Sequence, residues 1–202
     1  MSNDLYILCI MQEKKTKQLP FLSTFTWEVK HRGKNSYPKD YYRKCDGYVG
    51  TWAFMNSCCG FLYYLLPADE SLINYCGCGA LCDVHYVEPA PTNRCLPDEL
   101  AEYVSKRNTA VIIKPEYMRD FEKIIDYFLS ESPVDMIIFL SRWQGEERDI
   151  VHGVIPRDEF FSMMTNKQIR LNMCYIISGH ERKKWWQIRA EMFGLETTCT
   201  KD

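Results

Sequence analysis

Three cysteines and a histidine fall within ten residues in the stretch NYCGCGALCDVHY, as Cys76, Cys78, Cys82 and His85. Thiolate and imidazole are the ligands of structural zinc, and a thiolate is also a nucleophile and a redox centre. The spacing, C-x-C-x3-C-x2-H, lacks the paired C-x2-C knuckles that close a tetrahedral zinc site. Cys95, after EPAPTNR, is the one cysteine placed to add a ligand from a separate segment. The reading that suits the spacing is four packed side chains with no metal, Gly77 and Gly79 marking a tight turn or a close backbone approach.

A second cysteine feature is MNSCCGFLYYLL, where Cys58 precedes glycine and an aromatic at the start of an apolar run. A helix amino terminus there would stabilise a thiolate. The segment resembles, over about five residues, the D-C-S-G-F nucleophile segment of NlpC/P60-type cysteine peptidases, with Ser57 in place of the aspartate and Cys59 in place of the serine. The resemblance implies a hydrolase with Cys58 as nucleophile and His85 (in DVHY) or His152 (in DIVHGVI) as base. Either histidine equally suits a half-buried strand. Cys58 and Cys59 lie in an uncharged run where burial raises thiol pKa, so the expectation is a structural Cys58, no catalytic residue and no cofactor. Walker, dinucleotide, H-E-x-x-H and G-x-S-x-G motifs are absent from the sequence.

The elements that must position these residues are clearest in the second half. PEYMRDFEKIIDYFLSE, Pro115 to Glu131, sets Tyr117, Phe121, Ile124 and Phe128 on one helical stripe beside Met118, Ile125 and Leu129. Pro115 suits its first turn, and Ser132-Pro133 stops it. The apolar run Met136 to Leu140 predicts a strand covered on both faces. QGEER then reads as a turn and DIVHGVI as the return strand, so Asp135 to Ile155 is expected to be an antiparallel hairpin with a charged, exposed tip. Pro156, Asp158 and Glu159 begin a short helix burying Phe160, Phe161, Met163 and Met164. IRLNMCYIIS alternates Ile169, Leu171, Met173, Tyr175 and Ile177 with Arg170 and Asn172, the period of a half-buried strand ending at Gly179.

With NTAVIIKP as a strand and PDELAEYVSKR as a helix, residues 96–178 read αβαββαβ. In the cysteine-rich first 95 residues, LYILCIM and FLSTFTWEV read as strands and Trp52 to Leu66 as a buried helix. HERKKWWQIRAEMF, within 179–202, reads as a docking helix. The fold class is α+β, a single domain with a mixed or antiparallel sheet. A length of 202 residues with 46% hydrophobic and 26% charged residues suits one core. The amino terminus does not read as a secretory signal, so the ten cysteines point to a reducing, cytoplasmic setting. The uncharged stretch Gly47 to Ala68 is interrupted by Thr51, Asn56 and Ser57, against a membrane span.

Charge separates along the chain although the total is −2. Residues 1–48 carry net +4 and residues 49–180 net −7. An acidic middle disfavours nucleic acid and suits a basic partner. The order of elements, with FLSRWQGEERDIVHGVIPRDEFFSMM and IRLNMCYIIS as its carrying segments, resembles bacterial immunity proteins that neutralise polymorphic or contact-dependent toxins. The resemblance implies a small cytoplasmic protein without catalysis that binds a basic toxin domain. The expected partner-binding residues are Arg142, Trp143, Glu146, Glu147, Arg148 and Asp149, with Trp143 an aromatic anchor unless it packs into the protein's own core.

Overall fold

The segment Asn3–Cys9 is buried at every position, the pattern of a strand with a neighbour on each edge and a layer on each face. It is β1 in the computed structural model, which describes residues 3–9, 19–30, 61–73, 78–88, 108–133, 135–143 and 150–179. The other elements are β2 (Phe25–Lys30), β3 (Phe61–Pro67), β4 (Cys82–Tyr86), β5 (Thr109–Ile113), α1 (Pro115–Glu131), β6 (Met136–Trp143), β7 (Ile150–Pro156), α2 (Arg157–Thr165) and β8 (Met173–Ser178). The fold is α+β, as expected. A six-stranded mixed sheet runs in the order β2-β3-β1-β6-β8-β7, and β4 and β5 form a separate antiparallel pair.

One face of the large sheet carries Leu5, Ile7, Tyr63, Ile137, Phe139, Tyr175 and Ile177 into the core, where both helices and the β4–β5 pair meet it. Helix α1 has the expected bounds and buries Phe121, Ile124, Ile125, Phe128 and Leu129. Its stripe meets the sheet through rings: Phe121 lies 5.8 Å from Phe25 and 5.7 Å from Phe139, and Phe128 lies 4.6 Å from Tyr63. At the carboxyl end Ser132 donates its backbone N–H to Leu129 O and its hydroxyl to Met136 O, at 3.2 and 2.7 Å, which turns the chain into β6. Helix α2 buries Phe160, Phe161 and Met164, and Arg157 at its start grips Asp126 of α1 through Nε and Nη2 at 2.7 and 2.9 Å. On the opposite face of the sheet Leu8, Leu62, Ile138, Leu140 and Ile176 are buried as well.

Three sequence expectations are corrected. Phe61–Pro67 is a strand between β1 and β2, not the end of a buried helix. A short continuous apolar run has the same appearance in either state, and here the non-local ladders to β1 and β2 decide it. Strands β6 and β7 do not form a hairpin, because β8 lies between them, antiparallel to β6 and parallel to β7. A parallel neighbour needs a crossover of about a dozen residues or more, which α2 and the chain after it supply. The last strand is buried on both faces and begins only at Met173. Asn172 breaks it with a φ of 58°, and Arg170 and Asn172, expected on an outer face, are 5% and 4% exposed. The helices read in PDELAEYVSKR and HERKKWWQIRAEMF lie outside the described residues.

Gly179 ends β8 where the Asp135 carboxyl sits over its Cα, and its N–H donates to Asp135 O at 3.0 Å. A Cβ at 179 would meet Asp135 Oδ1 and come within 2.8 Å of Asp135 Cγ. Asp135 itself holds a φ of 52°, a conformation open to glycine. Gly179→Ala is therefore expected to cost about 1–2 kcal/mol by overpacking. Adding Asp135→Gly should recover part of that loss, and chemical denaturation of the two single variants and the double variant measures the coupling.

Candidate functional site

Strand β4 separates the residues that the sequence places close together. Alternate residues of a strand point to opposite faces, so Cys82 and His85 fall on opposite sides of β4. Cys82 enters the core at 4% exposure, and Asn3 donates from Nδ2 to its Sγ at 4.0 Å. Burial, then the charge of Asp83, pushes its thiol up to about 12. His85 stands half-buried on the other face, opposite Ala110 of β5. The two cannot ligate one ion. Cys78 begins a short 3-10 turn, Cys78–Ala80, whereas Cys76 and Cys95 lie outside the described residues. No group of three or more metal-binding side chains occurs among the described residues.

Of the hydrolase reading, the described residues place only the two histidines, and they lie on different sheets. Cys58 and Cys59 lie outside the described residues. His152 belongs to β7, at a register irregularity between Val151 and Gly153, and His85 belongs to the other sheet. Cys9 and Cys174 are buried thiols of the large sheet, Cys9 donating from Sγ to Phe128 O at 3.4 Å.

Two of the six expected partner-binding residues, Arg142 and Trp143, lie at one end of the large sheet. Arg142 is half-buried in β6 and in register with Asp4, and Trp143 closes β6 in register with Asn3. Glu146, Glu147, Arg148 and Asp149 lie outside the described residues, and so does the tip expected in QGEER. The ends that bracket them are clear: Met173 at the start of β8 pairs with Ser141 on one side and with Ile150 on the other. Residues 144–149 thus join strands about 10 Å apart, twice the spacing of neighbouring strands.

The same end of the sheet holds a polar group that sequence reasoning missed. Asp4, 5% exposed, accepts the Tyr64 hydroxyl at 2.9 Å on Oδ1 and the Tyr6 hydroxyl at 3.2 Å on Oδ2. The two rings stack with centroids 5.1 Å apart, and Arg142 follows on the same face through its pairing with Asp4. The available signal was the i, i+2 spacing of Asp4 and Tyr6, but Tyr64 joins them only through the β1–β3 register. Such a group fixes side chains firmly and offers polar contacts.

No protein-family model, curated protein or solved structure matches this chain. No helix among the described residues is long and apolar enough to cross a membrane.

The Cys82 thiol supplies a test of this geometry. Its folded-state pKa is raised, so its contribution to stability is complete below the ordinary thiol value of 9.0 and is lost as pH rises toward about 12. Unfolding free energy should fall with pH across that window, and Cys82→Ala should flatten part of the slope. Native-state alkylation of Cys82 near pH 8 should be slow and become fast in denaturant, as peptide mass mapping would record.

Proposed function

We propose that this chain is a non-enzymatic binding protein that captures a basic toxin domain, an immunity protein of the polymorphic or contact-dependent toxin kind that acts in the cytoplasm. The observation that carries the reading is the arrangement at the end of the six-stranded sheet. There β6 finishes at Trp143 and β7 begins at Ile150 on either side of β8. The residues between them include three acids and one arginine, and their attachment points are β6, an interior strand, and β7, the edge strand held against β8. Anchoring a recognition segment on rigid strands lowers the ordering cost of binding. Acidic groups speed and orient encounter with a cationic partner, and tryptophan and arginine dominate binding hot spots. Arg142, held in register with Asp4 beside the Tyr6–Tyr64 stack, is placed to contribute from a fixed position.

Co-expression with a toxin domain encoded next to this chain's gene tests the reading directly: growth should be restored and the two chains should purify together. Failure of both, with each protein folded, would refute it. Within such a complex Trp143→Ala is expected to cost about 2 kcal/mol or more of binding free energy. Glu146→Lys with Glu147→Lys should chiefly slow association and weaken its salt dependence. Surface plasmon resonance at two ionic strengths separates these effects, and unchanged affinity and rates in both variants would move the interface elsewhere.

A further inference from the structure

Arg170 is 5% exposed, and its Nε and Nη1 are sealed from solvent without a hydrogen-bond acceptor. The ion pairs among the described residues join Lys123 to Asp120 and Arg157 to Asp126 and Asp158, and none includes Arg170. Burial pulls its pKa below the ordinary arginine value, with Tyr175 opposing the shift. Guanidinium still carries its charge at neutral pH, so the fold holds a buried cation that has no anion among the described residues. This is among the least favourable arrangements a protein interior can contain, since packing alone would be served as well by an apolar side chain of the same length.

The backbone fixes where this cation sits. Val111 N–H donates to Ile169 O at 2.8 Å and Leu171 N–H to Thr109 O at 2.9 Å, so Ala110 and Arg170 form a close antiparallel pair. The Tyr175 hydroxyl accepts the Arg170 N–H at 2.7 Å. Ile169 and Leu171 turn into the core, which sends Arg170 to the other face of this small ladder. There the register sets His85, Ala110 and Arg170 in one row across three strands, with Asp83 and Ile112 in the next.

We propose that Arg170 is the receptor for a small organic monocarboxylate, bound through the guanidinium with its alkyl part toward Ile112. A planar guanidinium matches a carboxylate in shape and donor spacing. Charge selects a monoanion: one fixed cation neutralises one negative charge, whereas a phosphate dianion would leave excess negative charge in a buried place with Asp83 on the same face. The near-complete burial of Arg170 limits the ligand to a few carbons. The proposal goes beyond capture of a protein partner and does not depend on it.

The test uses sodium butyrate as probe, against sodium chloride and sodium phosphate at equal ionic strength, on the full chain and on Arg170→Met. In the wild-type protein butyrate should raise the thermal midpoint beyond the chloride control, phosphate should not, and saturation-transfer NMR should detect bound butyrate. Arg170→Met should melt higher than wild type in chloride, because the uncompensated charge is gone, and should bind butyrate at least about ten-fold more weakly. Absence of saturation transfer to butyrate in the wild-type protein overturns the proposal. So does a lower midpoint or loss of folding in Arg170→Met, which would make the arginine a structural support. Equal stabilisation by phosphate, or an undiminished butyrate response in Arg170→Met, would reduce the effect to unselective anion binding and also overturn it.

Discussion

Strand β8 is paired along both edges and buried on both faces, and this constraint organises the second half of the molecule. A strand in that position needs an apolar sequence throughout, which Met173–Ser178 supplies up to its terminal serine. Its parallel pairing with β7 obliges the chain to cross over through α2. That crossover carries Phe160 to within 5.2 Å of Phe139 and 6.4 Å of Phe121, joining α2, β6 and α1 into one aromatic core. The Arg157–Asp126 fork then links the two helices at the surface. Removing β8 would therefore leave β6 and β7 with facing edges unpaired.

The same organisation governs what the chain can do chemically. Of the thiols that might act as nucleophiles or ligands, Cys9, Cys82 and Cys174 are buried within the fold. The alternation of β4 divides Cys82 from His85 although they are three positions apart. The sites where polar atoms are held rigidly are of a different kind: a carboxylate at Asp4 that accepts two phenols, and a guanidinium at Arg170 that has no carboxylate partner among the described residues.

Arg157 and Arg170 illustrate how position decides the role of one side chain. Arg157 lies near the surface, pairs with Asp126 and Asp158 and stands 4.6 Å from the Phe161 ring centroid, so its charge is balanced several times over. Arg170 has the same chemistry but lies under the last crossover, where backbone hydrogen bonds to β5 and the Tyr175 hydroxyl fix its place. In IRLNMCYIIS it reads as the solvent-facing member of an alternating strand, and its sequence neighbours carry no sign that it is buried.

Much of the fold was legible in the chain because the deciding interactions are local. Helix α1 was bounded by its stripe, Pro115 and Ser132-Pro133, since a helix satisfies its hydrogen bonds within a few residues. The strand character of β1, β5 and β6, and the start of α2 after Pro156, followed from short-range pattern in the same way. What tertiary structure alone decided is which strand lies beside which. The choice of strand over helix for Phe61–Pro67, the insertion of β8 between β6 and β7, and the meeting of Asp4 with Tyr64 or of Arg170 with Ala110 all depend on partners far away in sequence. A strand leaves its backbone groups to be satisfied by distant segments, so its neighbours, and hence the surroundings of every polar side chain on it, are set only when the sheet assembles.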